Sequence, residues 1–335
     1  MYFYYITLGR WFRIQHFHYI HRILIVLTSI PIFLLGCSEK ENQSPITFNH
    51  NGQEFTIIPL YQEYLNYIED AKGKETNLDA LYEETVKQSF AASAFGEEFK
   101  DWEIEDWTFS TPTFIDELEE SLQLLIENHE KIVRIIKETL KDSSDKLPGG
   151  KKSVYIIPAN PTNASTMEVL NGVTGVTWEK DVILLQIEPA FLEEEYLMYC
   201  LAHEYHHSVY MENNELDYTT TLLEDVILEG KADTFAKSLY PDVTIPWHEF
   251  STVELEANTW EFLKKNGNST ALDSKEVSFV GNQMKEIPSR ANYTIGYKIM
   301  EHFIEHNPNI SIAEWTNLSA QDVLVQSKYE ESFSN

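Results

Sequence analysis

The sequence is poor in cysteine, in chain-breaking residues and in positive charge, and each shortage argues against a class of protein. Two cysteines in 335 residues cannot form a disulfide-rich scaffold. Because only 13 glycines and 12 prolines accompany a hydrophobic fraction of 43%, the chain is not low-complexity or disordered. Only 25 basic residues stand against 54 acidic ones, for a net charge of −29. We therefore expect no nucleic-acid partner and no docking onto anionic lipid through a basic patch.

The few positive charges are unevenly distributed along the chain. Residues 1–36 contain three arginines and no lysine, aspartate or glutamate, and the remaining 22 basic and 54 acidic residues give the rest a net charge of −32. This cationic stretch includes an apolar run of 13 residues, from Ile23 to Leu35. A membrane-spanning helix needs about 20 apolar residues, whereas the core of a signal peptide needs about 7–15. The run therefore predicts a signal peptide.

The end of this run, Leu34-Leu35-Gly36-Cys37, resembles the lipobox of bacterial lipoproteins. The resemblance implies that residues 1–36 are a lipoprotein signal peptide, and that Cys37 is diacylated and becomes the new N-terminus. Residues 37–50 would then be a tether, and the protein would be extracytoplasmic and lipid-anchored to the bacterial cell membrane. The alternatives are a plain secretory signal or an uncleaved anchor. The 22 residues before the apolar core also leave open a translation start further along the chain.

The mature chain predicts an α+β fold that is mostly helical. Apolar residues recur at helical spacing through most of residues 51–150, which we interpret as an N-terminal helical region. Residues 151–330 are predicted as a second domain, in which a small sheet precedes further helices. The predicted strands are Ser153–Pro158, Gly172–Trp178 and Asp181–Ile187, the last two forming a hairpin. The predicted helices of this domain are residues 192–211, 217–240, 247–265 and 289–306.

The first of these helices contains the pattern H-E-x-x-H. His203 and His207 are four residues apart, so both imidazoles project from one face of the helix at a spacing suited to one metal ion. Neutral imidazole is a good ligand for Zn²⁺. Glu204 lies about 100° around the helix, where it is badly placed as a ligand but well placed as a general base. The alternative is a histidine-rich helix whose imidazoles are ordinary hydrogen-bonded groups.

A third ligand is expected on the following helix, because two histidines leave a catalytic zinc site one protein ligand short. Glu229 lies 22 residues after the second histidine, enough for a turn and an antiparallel helix. Asp233 shares a face with Glu229 and can accept the second N–H of a metal-bound histidine. Gly230 would permit close approach to the first helix. Glu224 and Asp225 are competing ligands, and a solvated acidic face is the alternative interpretation.

The two patterns, His203-Glu204-x-x-His207 and Glu229-x-x-x-Asp233, together resemble the gluzincin branch of zinc metallopeptidases. With the later segment from Tyr293 to Tyr297, residues 150–330 resemble more narrowly the YjaZ-like family of predicted secreted zinc proteases. The resemblance implies one Zn²⁺ per chain and hydrolysis of peptide bonds.

In the mechanism that this resemblance implies, Glu204 is the general base for a water activated by zinc on His203, His207 and Glu229. Similar enzymes stabilise the oxyanion with a Tyr, His or Arg from a later segment, and the candidates here are Tyr293, Tyr297 and Arg290. In this clan an edge strand before the metal-binding helix often pairs with extended substrate, a role available to the strand Gly172–Trp178.

The sequence therefore predicts a membrane-tethered, extracytoplasmic zinc metallopeptidase that acts on a peptide or protein. The alternative is a non-catalytic surface lipoprotein that binds a ligand or protein partner on a similar scaffold, although such a protein has no need of Glu204 beside the metal. A purely structural zinc site is disfavoured, because such sites are usually closed by cysteines. Outside the pattern, we expect His248 to be a surface or capping residue and Trp247 to belong to the core.

Overall fold

The computed structural model describes residues 44–333, except 73–76, 97–106, 164–166, 169 and 215–218. Residues 42–335 form one compact unit. The predicted signal peptide, the lipobox and Cys37 lie outside the described residues. Within the described ranges, no helix is both long enough and apolar enough to cross a membrane.

A five-stranded mixed sheet forms the centre of the fold, in the order β1-β2-β3-β5-β4. β2 runs parallel to β3 and β3 parallel to β5, whereas the outer strands β1 and β4 are antiparallel to their neighbours. Every residue of β5 is buried, as is typical of a strand covered on both faces. The strands are β1 (Ile46–His50), β2 (Gln53–Pro59), β3 (Lys152–Pro158), β4 (Val173–Glu179) and β5 (Val182–Ile187).

The predicted strands β3, β4 and β5 are confirmed, but the hairpin of β1 and β2 was not predicted. β1 falls within the segment interpreted as a tether, and its alternate residues are exposed, so it has little apolar signal. The turn was readable, because Asn51-Gly52 adopts positive φ angles of 49° and 86°, as Asn-Gly hairpins do. Because β2 pairs with β3, the boundary predicted at residue 150 falls inside one compact unit.

Helices before β3 cover part of the sheet and confirm the predicted helical character of this region. The last two helices of this region are separated at Asn128, whose side-chain amide donates to the Leu124 carbonyl at the end of the first of them. A π-helical turn, Glu83–Lys87, joins α2 to α3. These helices are α1 (Tyr61–Ala71), α2 (Leu78–Tyr82), α3 (Gln88–Phe95), α4 (Ile115–Glu127) and α5 (His129–Lys146).

After the sheet the chain is helical again, so the α+β, mostly helical class is confirmed. Two helices at the centre of this half, α6 and α7, are buried around much of their circumference, which is why neither has a clear polar face. α9, α11 and α12 were not predicted. The helices are α6 (Glu194–Asn213), α7 (Leu222–Leu239), α8 (Val253–Asn266), α9 (Leu272–Val280), α10 (Ala291–His306), α11 (Ile312–Thr316) and α12 (Ala320–Ser327).

A pair of glycines sets the distance between α7 and α10. A Cβ atom on Gly230 would lie 2.2 Å from the Gly296 carbonyl oxygen, and one on Gly296 would lie 2.1 Å from the Val226 carbonyl oxygen. The close approach predicted for Gly230 therefore exists, but it is made to α10 and not to α6. As a result α10, which carries Tyr293, is held against the helix that carries Glu229.

Candidate metal centre

Three side-chain atoms from α6 and α7 converge on one point. The Nε2 atoms of His203 and His207 are 2.9 Å apart, and the Oε2 atom of Glu229 lies 3.1 Å from the former and 3.4 Å from the latter. In a tetrahedral zinc site with bonds of about 2.0–2.1 Å, ligand atoms are about 3.3 Å apart. The three atoms therefore fit one ion, and they form a potential metal-binding group in the described part of the chain.

The carboxylate of Asp233 lies against the ring nitrogen of His203 that is not part of the cluster. Its Oδ1 atom lies 3.0 Å from Nδ1 of His203. Although burial alone would raise it, the pKa of Asp233 is held well below its usual range by the hydrogen bond to His203 and the charge of His203. An ionised Asp233 favours a proton on Nδ1 of His203, which leaves the Nε2 lone pair directed at the cluster.

The charges of the cluster favour a cation. The imidazole of His207 and then His203 lower the pKa of Glu229 to about 2, even though burial opposes this. Burial also opposes charge on His203, but Asp233 and Glu229 together raise its pKa well above the usual value. Two buried carboxylates that stay ionised need a nearby positive charge. That charge can be a protonated imidazole or a metal ion bound to the imidazole.

A buried hydrogen-bond network behind Asp233 was missed by the sequence analysis. The Tyr199 hydroxyl lies 3.1 Å from Asp233 Oδ1 and 2.9 Å from Nε2 of His248, and the indole N–H of Trp247 donates to Asp233 Oδ2. His248 is buried, and Trp247 lines the cleft beside the metal cluster. The expectation of a surface or capping His248 was therefore wrong. Both residues lie in a segment without regular structure, whose path periodicity cannot predict, whereas Tyr199 precedes His203 by one helical turn and was a readable signal.

The side chain of Glu204 packs against β4 and lines the same cleft as His203. The Thr177 hydroxyl lies 2.8 Å from Glu204 Oε2 and 2.8 Å from its carbonyl oxygen. A Cβ atom on Gly175 would lie 2.5 Å from Cγ of Glu204, so only glycine at this position leaves room for the carboxylate. β4 is also an outer strand of the sheet, as predicted. The side chain of Glu204 thus lies between the edge strand β4 and its own helix, α6.

The two tyrosines of α10 occupy different places. The Tyr293 ring lies 6.2 Å from the His203 ring and lines the cleft together with Glu204 and Arg290. Burial, and then the charge of Glu229, raise the pKa of Tyr293 well above its usual value. Tyr297 instead stacks on His248 at 3.8 Å, on the side of the network behind Asp233. The structure brings Tyr293, but not Tyr297, to the metal cluster.

The competing ligands on α7 have other partners. Glu224 completes a capping box with Thr221 at the start of the helix. Asp225 pairs with Lys275 at 2.8 Å. Neither belongs to the group of converging ligand atoms.

A His-Glu-x-x-His helix, a third ligand from the next helix and an adjacent edge strand together define a zincin-like class of metal-site protein. The chain belongs to the family described as "Predicted Zn-dependent protease (DUF2268)", which it matches over residues 132–325, in agreement with the resemblance to YjaZ-like proteases. No curated protein and no solved structure matches it. The family description extends to zinc dependence, and His203, His207 and Glu229 are the residues suited to hold the ion.

Proposed function

We propose that the protein is a zinc metallopeptidase that is extracytoplasmic and tethered to the membrane through Cys37. The observation that carries this proposal is the convergence of His203, His207 and Glu229 on one point, with Glu204 beside them in the same cleft. The family description, a predicted Zn-dependent protease, supports the same class of reaction.

His203, His207 and Glu229 would hold the zinc ion, which when bound would supply Lewis acidity and lower the pKa of water to about 7. Glu204 accepts a proton from the attacking water and passes it to the leaving amine. Thr177 holds the Glu204 carboxylate towards the cleft, and Asp233 keeps His203 in the tautomer that binds metal. Tyr293, whose raised pKa keeps its hydroxyl protonated, donates to the oxyanion that develops on the substrate carbonyl.

The free edge of β4, beside Glu204, would orient an extended peptide substrate. In the described part of the chain β4 pairs only with β5, so its other edge retains unpaired backbone groups. An extended peptide that pairs with this edge would place a carbonyl beside Glu204 and the metal ligands. Gly175, in the middle of β4, leaves room for the Glu204 side chain against this strand.

The test is metal analysis and peptide hydrolysis with residues 38–335, which include the whole compact unit. We expect one zinc per chain, and a loss of hydrolysis of about 10²–10⁴-fold in Glu204→Gln with zinc retained. Glu195→Gln, at an exposed position of the same helix, is the matched control and should retain full activity. Absence of zinc, or full activity in Glu204→Gln, would refute the mechanism. Zinc binding without hydrolysis of any peptide would favour the non-catalytic binding protein.

The proposed tether is tested separately in cells. Cys37→Ser removes the thiol that would carry the lipid, so we expect the protein to move from the membrane fraction to the soluble fraction. Metabolic labelling with a radioactive fatty acid should label the natural chain and not the variant. Equal labelling of both would refute lipidation at Cys37.

A further inference from the structure

The described residues contain two arginines, and their surroundings differ sharply. Arg134 is exposed and pairs with Glu138 at 2.9 Å and Glu194 at 3.0 Å. No ion pair with a carboxylate is found for Arg290 in the part of the chain that the structure describes. Its guanidinium carbon instead lies 4.6 Å from the centre of the Trp247 ring and 5.8 Å from that of Tyr293. In a chain of net charge −29, a cleft arginine without an acidic partner needs an explanation.

The carboxylates of the same cleft are engaged with other groups. Glu204 accepts from Thr177, and Asp233 accepts from Trp247 and lies against His203. Glu229 lies against the two histidines of the metal cluster. A guanidinium has five N–H donors in a planar fork, and stacking on an aromatic ring occupies its face while leaving the donors at its edge. Those donors are therefore available to a ligand that enters the cleft.

The backbone around Arg290 holds the side chain at this place. Arg290 has a φ of 60°, in the left-handed region that L residues rarely adopt, and its N–H donates to the Phe279 carbonyl. It directly precedes α10, whose first turn has no side-chain cap and leaves N–H groups without helical partners. The positive end of the helix and the guanidinium therefore both favour an anion at this end of the cleft.

We propose that Arg290 binds a carboxylate of the peptide substrate, so that the enzyme prefers acidic peptides. This inference rests on the proposed peptidase function and names its substrate class. The carboxylate belongs to a Glu or Asp side chain near the scissile bond or to the free C-terminus of the peptide. The cleft also contains the apolar side chains of Leu170, Val173 and Ile245, which suit the aliphatic stem of such a residue.

A role for Arg290 in binding the substrate carboxylate differs from the oxyanion role considered above. The Tyr293 ring lies next to the ring of the candidate ligand His203. The guanidinium of Arg290 lies next to the rings of Trp247 and Tyr293. An oxyanion donor acts on every substrate, whereas a carboxylate-binding residue acts only on substrates that have the carboxylate. The two roles therefore make different predictions for neutral peptides.

The experiment compares zinc-loaded wild type, Arg290→Gln, Arg290→Lys and the surface control Arg134→Gln on matched peptides. One pair of peptides has Glu or Gln at each position flanking the scissile bond, and a second pair has a free or an amidated C-terminus. We expect the wild type to prefer one acidic member by at least about tenfold in kcat/KM, mostly through KM. Arg290→Gln should lose this preference, because its kcat/KM should fall more for the acidic member of the pair than for the neutral member. Arg290→Lys should retain part of the preference, and Arg134→Gln should retain all of it. The pair that shows the preference identifies the source of the carboxylate.

Equal cleavage of acidic and neutral peptides by the wild type would overturn the inference. An equal loss on both kinds of peptide in Arg290→Gln would overturn it as well, in favour of the oxyanion role. Binding of the same fluorescent peptides to zinc-loaded Glu204→Gln, measured by anisotropy, separates this inference from the proposed function. If the wild type cleaves no peptide, the peptidase function fails, and preferential binding of acidic peptides that depends on Arg290 would still support the carboxylate site.

Discussion

At the scale of single residues, the site consists of three candidate metal ligands and of the groups that hydrogen-bond to them. His203 has Glu229 on one ring nitrogen and Asp233 on the other, so its orientation is determined from two sides. Asp233 has no exposed surface and is itself held by Tyr199 and Trp247. Such chains of hydrogen bonds orient a ligand before the metal arrives, which reduces the ordering that binding requires.

Asp233→Asn should weaken zinc binding without destroying the site. An amide cannot offer the charge that stabilises N–H at Nδ1 of His203, so we expect zinc affinity to fall about 10–100-fold. Competition with a chromophoric chelator measures the affinity. Asp225→Asn, a change of the same kind on the same helix, should leave it unchanged because Asp225 pairs with Lys275. Equal zinc affinity in wild type and Asp233→Asn would contradict this account of Asp233.

Thr177 should matter for catalysis but not for metal binding. Thr177→Val removes the hydroxyl that donates to Glu204 at nearly constant volume, so we expect kcat to fall about tenfold with the zinc content unchanged. Thr177→Ser retains the hydroxyl and is the matched control. Steady-state kinetics and metal analysis of both variants test this expectation, and similar kcat values for the valine and serine variants would count against it.

At the scale of elements, α7 connects the metal centre to the rest of the helical half. One face carries Glu229 and Asp233, and Gly230 brings the helix into backbone contact with α10. Lys231, also on α7, is buried and donates to the carbonyl oxygens of Thr316 and Leu318 at the end of α11. Three consecutive residues, from Glu229 to Lys231, therefore contribute a candidate ligand, a helix contact and a cap for another helix.

The buried Lys231 predicts a pH dependence of stability. Burial lowers the pKa of Lys231 to about 8 in the folded protein, whereas the unfolded chain keeps the usual value near 10.5. Between these pH values the unfolded state binds the additional proton, so this residue makes the free energy of unfolding rise with pH, by about 3 kcal/mol at most. The free energy of unfolding should be measured by urea at pH 7.5 and at pH 10. Its change from the lower to the higher pH should be less favourable to the folded state in Lys231→Met than in wild type. Lys265→Met, at an exposed position of α8, should behave as wild type does. The same pH dependence in Lys231→Met and wild type would show that the lysine is not desolvated.

At the scale of the whole molecule, the first half of the chain belongs to the same folded unit as the metal centre. The family match begins at residue 132, yet β2 lies beside β3 and the side chains of Phe55 and Ile57 have no exposed surface. Parallel strands buried on both faces need a neighbour on each edge to pair their backbone groups. The sheet that supports β4, and through it Glu204, therefore depends on residues outside the family match.

Removal of β1 and β2 should prevent stable folding. A chain that begins at residue 60 exposes the edge of β3 and loses the burial of Phe55 and Ile57, each worth about 1.5–3 kcal/mol. Together with the lost strand pairing, this is a large share of the 5–15 kcal/mol typical of a domain. Circular dichroism and limited proteolysis should show a folded chain from residue 44 and a largely unfolded chain from residue 60. Equal thermal stability of the two would show that the later residues fold independently.

The candidate metal ligands and the helices that carry them were predictable from the sequence because the relevant spacings are local. The four-residue interval of His203 and His207 and the position of Asp233 four residues after Glu229 follow from the pitch of one helix. The three predicted strands were recognisable for a similar reason, since their apolar runs are bounded by turn residues. The network behind Asp233 was not predictable, because His248 and Trp247 reach it from a segment without regular structure.

The sequence by itself determined the class of site, since residue type and helical periodicity decide which ligands share a face. Only the tertiary structure decided that Glu204 faces Gly175 and Thr177 on an edge strand, and that Tyr293 and not Tyr297 reaches the cluster. It also placed Arg290 in the cleft without an acidic partner among the described residues. These contacts are between residues that are far apart in the chain. They depend on how whole helices and strands pack, and a local sequence pattern carries no information about that packing.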